Sequence, residues 1–147
     1  MKSKLVAAAG IAGTLALAPA AGAVVKAGDF AGKTDHGQPV TFKVTRGKKL
    51  TEFSFRRFKL SCTDGDVVPL GKVGSGPDKI TITKAGKFSF DTSYEDGDKW
   101  TASGTINGAR AKGKVRFTVR FDSEGNPSKD GEVLCDSGSR RFTARLR

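Results

Sequence analysis

From Phe30 onward apolar and polar residues alternate with a period of two, and no window longer than about ten residues carries the 3.6-residue period of an amphipathic helix. The pattern predicts strands. Val40, Phe42 and Val44 alternate with Thr41, Lys43 and Thr45, and Arg46-Gly47-Lys48-Lys49 then supplies a turn. In the next run Phe53 and Phe55 share one parity while Phe58, Leu60 and Cys62 share the other, so a β-bulge at Arg56-Arg57 is needed to keep a single buried face. Asp64-Gly65, Ala85-Gly86, Asp96-Gly97 and Asn107-Gly108 mark turns, because Gly, Asn and Asp tolerate positive φ. Between them lie Ile80 with Ile82, Phe88 with Phe90, and Trp100, Ala102, Gly104 with Ile106.

The longest run is the clearest. Ala111, Gly113, Val115, Phe117, Val119 and Phe121 point one way, and Lys112, Lys114, Arg116, Thr118 and Arg120 the other. After a polar loop come a short segment ending at Cys135 and a last strand with Phe142, Ala144 and Leu146 inward. The stretch 66–78, rich in Gly and Pro, reads as a loop. The expectation is an all-β chain, an antiparallel β-sandwich or closed β-barrel of about eight or nine short strands.

The first residues break this pattern. Lys2 and Lys4 precede an apolar run over 5–18, and Ala21-Gly22-Ala23 forms a small-x-small cleavage site, so residues 1–23 are expected to be a signal peptide and 24–147 a single domain. With 147 residues in all there is no room for a separate cofactor domain. The expected location is secreted or extracytoplasmic, with no transmembrane segment in the mature chain. The chain holds 2 cysteines, Cys62 and Cys135, and an even count in an exported protein predicts a disulfide. Closing a loop of roughly 70 residues would stabilise the fold by roughly 4 kcal/mol in the chain-entropy model.

The spacing Phe30-x-Gly32-x-Thr34-x-x-Gly37-x-Pro39-Val40-x-Phe42-x-Val44, the turn Cys62-Thr63-Asp64-Gly65, the run Gly104-Thr105-Ile106 through Ala111-x-Gly113, and Cys135-Asp136-Ser137-Gly138 with Phe142-x-Ala144-Arg145 stand out together. In these positions the chain resembles a group of small exported bacterial β domains. The resemblance spans nearly the whole mature chain, but its positions serve folding. It implies a fold and export, and no activity.

Candidate chemistry is sparse. The one histidine, His36, sits in a turn with no nucleophile at a recognisable spacing, so a catalytic triad or dyad is not expected. Glu95, Asp96 and Asp98 lie beside Tyr94 and Trp100, an arrangement that could bind or cleave a sugar. In a tight turn, however, such acids point into water and their pKa values stay together. Asp122, Glu124, Asn126, Ser128, Asp130 and Glu132 alternate oxygen donors as a calcium loop does, yet Pro127 and Val133 stand where that loop needs Gly and a bidentate Glu. No metal or cofactor is expected.

Charge changes the picture most. Lys and Arg number 26 against 15 Asp and Glu, a net charge of +11, and the cations concentrate on the outward parity of strands while most of the acids fall in turns. Lys112, Lys114, Arg116 and Arg120 form one row, Arg141, Arg145 and Arg147 another, with neighbours in a row about 7 Å apart. If the two strands are neighbours, these residues line one patch. The reading is a non-catalytic extracellular or envelope surface module with weak attraction for anionic cell-envelope polymers and no specific nucleic-acid recognition. The alternative is a small carbohydrate-binding or carbohydrate-active protein.

Overall fold

The computed structural model describes residues 22–73 and 77–147, so the expected signal peptide lies outside the described residues except for its last two positions. Strands follow one another as β1 (Gly28–Thr34), β2 (Pro39–Val44), β3 (Lys49–Cys62), β4 (Val67–Val73), β5 (Ile80–Thr81), β6 (Lys87–Ser93), β7 (Lys99–Asn107), β8 (Arg110–Phe121), β9 (Val133–Asp136) and β10 (Arg140–Leu146). Every pairing between them is antiparallel. The order β10-β1-β2-β3-β9-β8 closes through a β8–β10 pairing, so the architecture is a closed barrel, with β4 and β5 added on β3 and β7 and β6 added on β8. Among the described residues no helix is long and apolar enough to cross a membrane.

The predicted bulge is present: Arg57 has φ 61°, and buried Phe55 and Phe58 flank it on opposite parities. A second phase shift was not read from the sequence. Glu52, with φ 55°, brings Leu50 and Phe53 onto the same buried face, and the β2–β3 register slips between Thr41 and Lys43 opposite it. The stretch 66–78 is also more regular than expected. Its first part is β4, which pairs with β3 from Val67 to Val73. Pro69 is tolerated because β4 is an edge strand, where the missing N–H costs no ladder bond.

Inward-facing rings make the core. Phe53 is its hub, with ring centroids 4.8 Å from Phe55, 5.4 Å from Phe42, 5.8 Å from Phe90 and 5.8 Å from Phe142. Glycines make the room these rings need: Gly104 and Gly113 face each other across β7 and β8, and a Cβ on either would lie within 2.8 Å of the Phe88 or Phe142 ring. Cys62 and Cys135 stand opposite each other on β3 and β9 and form the expected disulfide.

Candidate anion-binding face

β8 has two different neighbours along one edge. Its first half pairs with β10, from Arg110↔Arg145 to Val115↔Arg140, and its second half pairs with β9, from Thr118↔Asp136 to Phe121↔Val133. Because both strands bury Val115, Phe142 and Ala144 inward, parity turns the alternate residues out. The outward register therefore sets Arg110 against Arg145, Lys112 against Thr143 and Lys114 against Arg141. The rows continue through Asn107, Thr105 and Ser103 on β7 and through Ala31 and Lys33 on β1, and one carboxylate enters them, at the end of the Lys114–Arg141 row, where the Asp35 N–H donates to the Arg141 carbonyl at 2.8 Å. Directly opposed side chains on adjacent strands sit about 5 Å apart at Cβ, and like charges so placed disfavour the fold. A shallow depression of about 400 Å³ lies there, lined by Thr105, Asn107, Arg110, Lys112, Thr143 and Arg145.

The structure brings only part of the expected patch together. Lys112, Lys114, Arg141 and Arg145 are brought together, whereas Arg116, Arg120 and Arg147 are not. Arg116 is tied to Asp136 on β9, donating from Nε to Oδ1 at 3.0 Å and from Nη2 to Oδ2. That hydrogen bond, reinforced by the N–H of Gly138 and the guanidinium charge, holds the Asp136 carboxyl below the usual range despite its partial burial, and raises Arg116. Arg120 donates from Nη1 to the Gly131 carbonyl at 3.3 Å. Arg147 lies beyond β10, its N–H donating to the Asp29 carbonyl at 2.9 Å.

Two contributors escaped the sequence reading. Arg110 has the parity of Lys112, but the strand was started one residue late, at Ala111. Lys33 faces outward opposite Thr143, a neighbour 110 residues along the chain that only the β1–β10 register reveals.

The acidic turn builds a different place. A depression of about 530 Å³ is lined by Tyr94, Asp98, Lys99, Arg116, Arg120 and Lys129, among others. Burial, then the nearby charge of Asp96, pushes Asp98 up to about 6. Its Oδ1 is buried and has no hydrogen-bond partner. Trp100 is 2% exposed and packs edge-to-face against Phe55 at 5.4 Å, so it presents no face to a sugar, whereas Tyr94 is 44% exposed.

His36 occupies the β1–β2 turn, where its Nε2 accepts a hydrogen bond of 2.7 Å from Arg140 Nη1. In the loop considered for calcium, Asp122 Oδ1 accepts the N–H groups of Glu124 and Asn126, both at 2.9 Å, and so closes its own turn. Among the described residues no group of three or more His, Cys, Asp or Glu converges on one point. Comparison with protein-family models, with curated proteins and with solved structures finds no match.

Proposed function

We propose that the protein is an exported, non-catalytic surface or envelope module that attracts anionic polymers through the β8–β10 face. The observation that carries this reading is the register itself: Arg110 opposes Arg145 and Lys114 opposes Arg141, and Asp35 alone among the acids stands in these rows, at the β1 end of one of them. The disulfide supports an oxidising compartment, and the apolar leader supports export. A positive field on a shallow, aromatic-poor wall draws phosphate- or carboxylate-bearing chains without reading their sequence.

Binding to an anionic wall polymer at low and physiological salt tests it. Changing Lys112, Lys114 and Arg141 to Gln should weaken binding and flatten the log-affinity against log-salt slope by about 2, if each contact to a flexible polyphosphate contributes about 0.7. Unchanged binding, or none at low salt, would return the face to ordinary solvated charge. The carbohydrate alternative keeps Tyr94 and Asp98 but loses Trp100 as a platform, and a glycan array separates the two by the charge of what binds.

A further inference from the structure

A second basic feature lies on β2 and β3, beyond β1 along the same barrel wall, and shares no residue with the β8–β10 face. The bulge in β3 leaves Arg56 and Arg57 both exposed between buried Phe55 and Phe58, with Arg57 in the left-handed region at φ 61°. A regular strand would have turned one of the pair inward. Arg147 reaches the same spot from the far end of the chain. Together with Pro39, Thr41 and Ser54 these arginines line a depression of about 320 Å³. Thr41 and Ser54 are cross-strand partners, so their hydroxyls stand side by side on its floor.

No Asp or Glu side chain lines this groove. The ion pairs of the described residues, Lys99–Asp91 and Arg116–Asp136, involve none of its arginines, and residues 1–21 and 74–76 contain no acid. Asp29, whose carbonyl accepts the Arg147 N–H, makes no ion pair with the guanidinium. Three planar N–H forks and two hydroxyls thus border one depression in which no arginine is paired with an acid. A carboxylate has two oxygens and satisfies one fork, whereas a phosphate group offers more oxygens and more charge, which several forks can share. An uncommon backbone conformation at a bulge, where it redirects side chains, is a recurrent feature of functional sites.

We propose that Arg56, Arg57 and Arg147, with Thr41 and Ser54, form a discrete binding site for a phosphate group. The site is a positioned pocket rather than a diffuse field, so it binds one small phosphate ligand saturably.

Titration of the full-length mature protein with inorganic pyrophosphate, followed by calorimetry and by the arginine Nε–Hε resonances, tests this. One-to-one binding is expected, weakened at least about tenfold in Arg56→Gln/Arg147→Gln and changed less than about twofold in Lys112→Gln/Lys114→Gln/Arg141→Gln. Arg57→Gly removes the third fork while suiting the left-handed backbone, so it should lose binding with the fold intact. Competition by dimethyl phosphate would identify the source as a phosphodiester polymer, and its failure to compete would identify a terminal or free phosphate. Absence of saturable pyrophosphate binding, or equal weakening in the groove and face variants, overturns the site. A face variant that loses anionic polymer but keeps pyrophosphate leaves the groove standing, whatever becomes of the face.

Discussion

The two halves of β8 carry the same outward parity of cations, yet they are electrostatically different places. From Arg110 to Lys114 the neighbouring strand is β10, which answers with Arg145, Thr143 and Arg141. From Thr118 the neighbour is β9, and its Asp136 accepts the Arg116 guanidinium that lies just before that pairing. The difference comes from the partner strand and not from β8 itself. β9 and β10 run along one edge of β8 as a single interrupted strand, and the residues between them, Ser137, Gly138 and Ser139, are where cation-facing-cation gives way to an ion pair. Charge on a strand is thus converted into a patch, or cancelled, by register.

The largest way to break this contrast is to free β9. Reducing Cys62–Cys135, or replacing both with Ala, should destabilise the protein by up to roughly 4 kcal/mol out of a total of about 5–15, read as a fall in melting temperature. Because the bond holds β9 against β3, amides of 118–121 should then exchange sooner than those of 110–115. Exchange accelerating first beside β10 would place the weak seam elsewhere.

A smaller change sharpens the contrast by erasing it. Asp136→Asn should release Arg116, make the second half of β8 resemble the first, and steepen the salt slope of anionic-polymer binding by about 0.7. The cost in stability should be about 1 kcal/mol, since the Arg116 side chain is 54% exposed. The sign with pH follows from the depressed Asp136 value: the folded state favours the charged carboxylate, so this stabilisation is full above the ordinary carboxylate range and disappears as pH falls through the lower folded value. A salt slope equal to that of the unaltered protein would show that Asp136 does not mask Arg116.

The smallest effect belongs to Asp98 beside the same half of β8. Its value is raised to about 6, so the folded state favours the protonated form, and the associated stability, present below the ordinary carboxylate range, is lost as pH rises toward and through about 6. Because Asp98 is only part-buried, the effect should stay below about 1 kcal/mol. Asp98→Asn should abolish the change in melting temperature between about pH 4 and 6, and carboxyl chemical shifts should locate the titration. A wild-type titration in the ordinary carboxylate range would remove the special status of this turn.

Parity was legible in the sequence because it is local: each residue of 111–121 reports its own face, and the mismatch of Phe55 with Phe58 announces the Arg57 bulge. The Glu52 shift was hidden because Leu50 and Phe53 are also compatible with an unbroken but irregular run. β4 was hidden by Pro69 and Gly71, which are turn signals in most contexts and edge-strand residues in this one. Adjacency was not legible. That Lys114 meets Arg141, that Arg116 meets Asp136 and that Arg147 joins Arg56 depend on pairings between distant strands, which hydrophobic period does not encode. Trp100 beside an acidic turn suggested a sugar platform because sequence proximity was taken for spatial proximity, whereas parity alone placed the indole inside.

Barrel closure has a kinetic consequence. β1 is zipped to β10 from Phe30↔Leu146 to Thr34↔Phe142, so the ring joins the two ends of the domain. Contacts of that sequence separation are slow to form because the chain between them must first be gathered, and they contribute nothing until it is. A chain emerging from one end therefore has no closed barrel to fold into until its last strand arrives. Such a polypeptide stays threadable until β10 is available and commits to its shape only then.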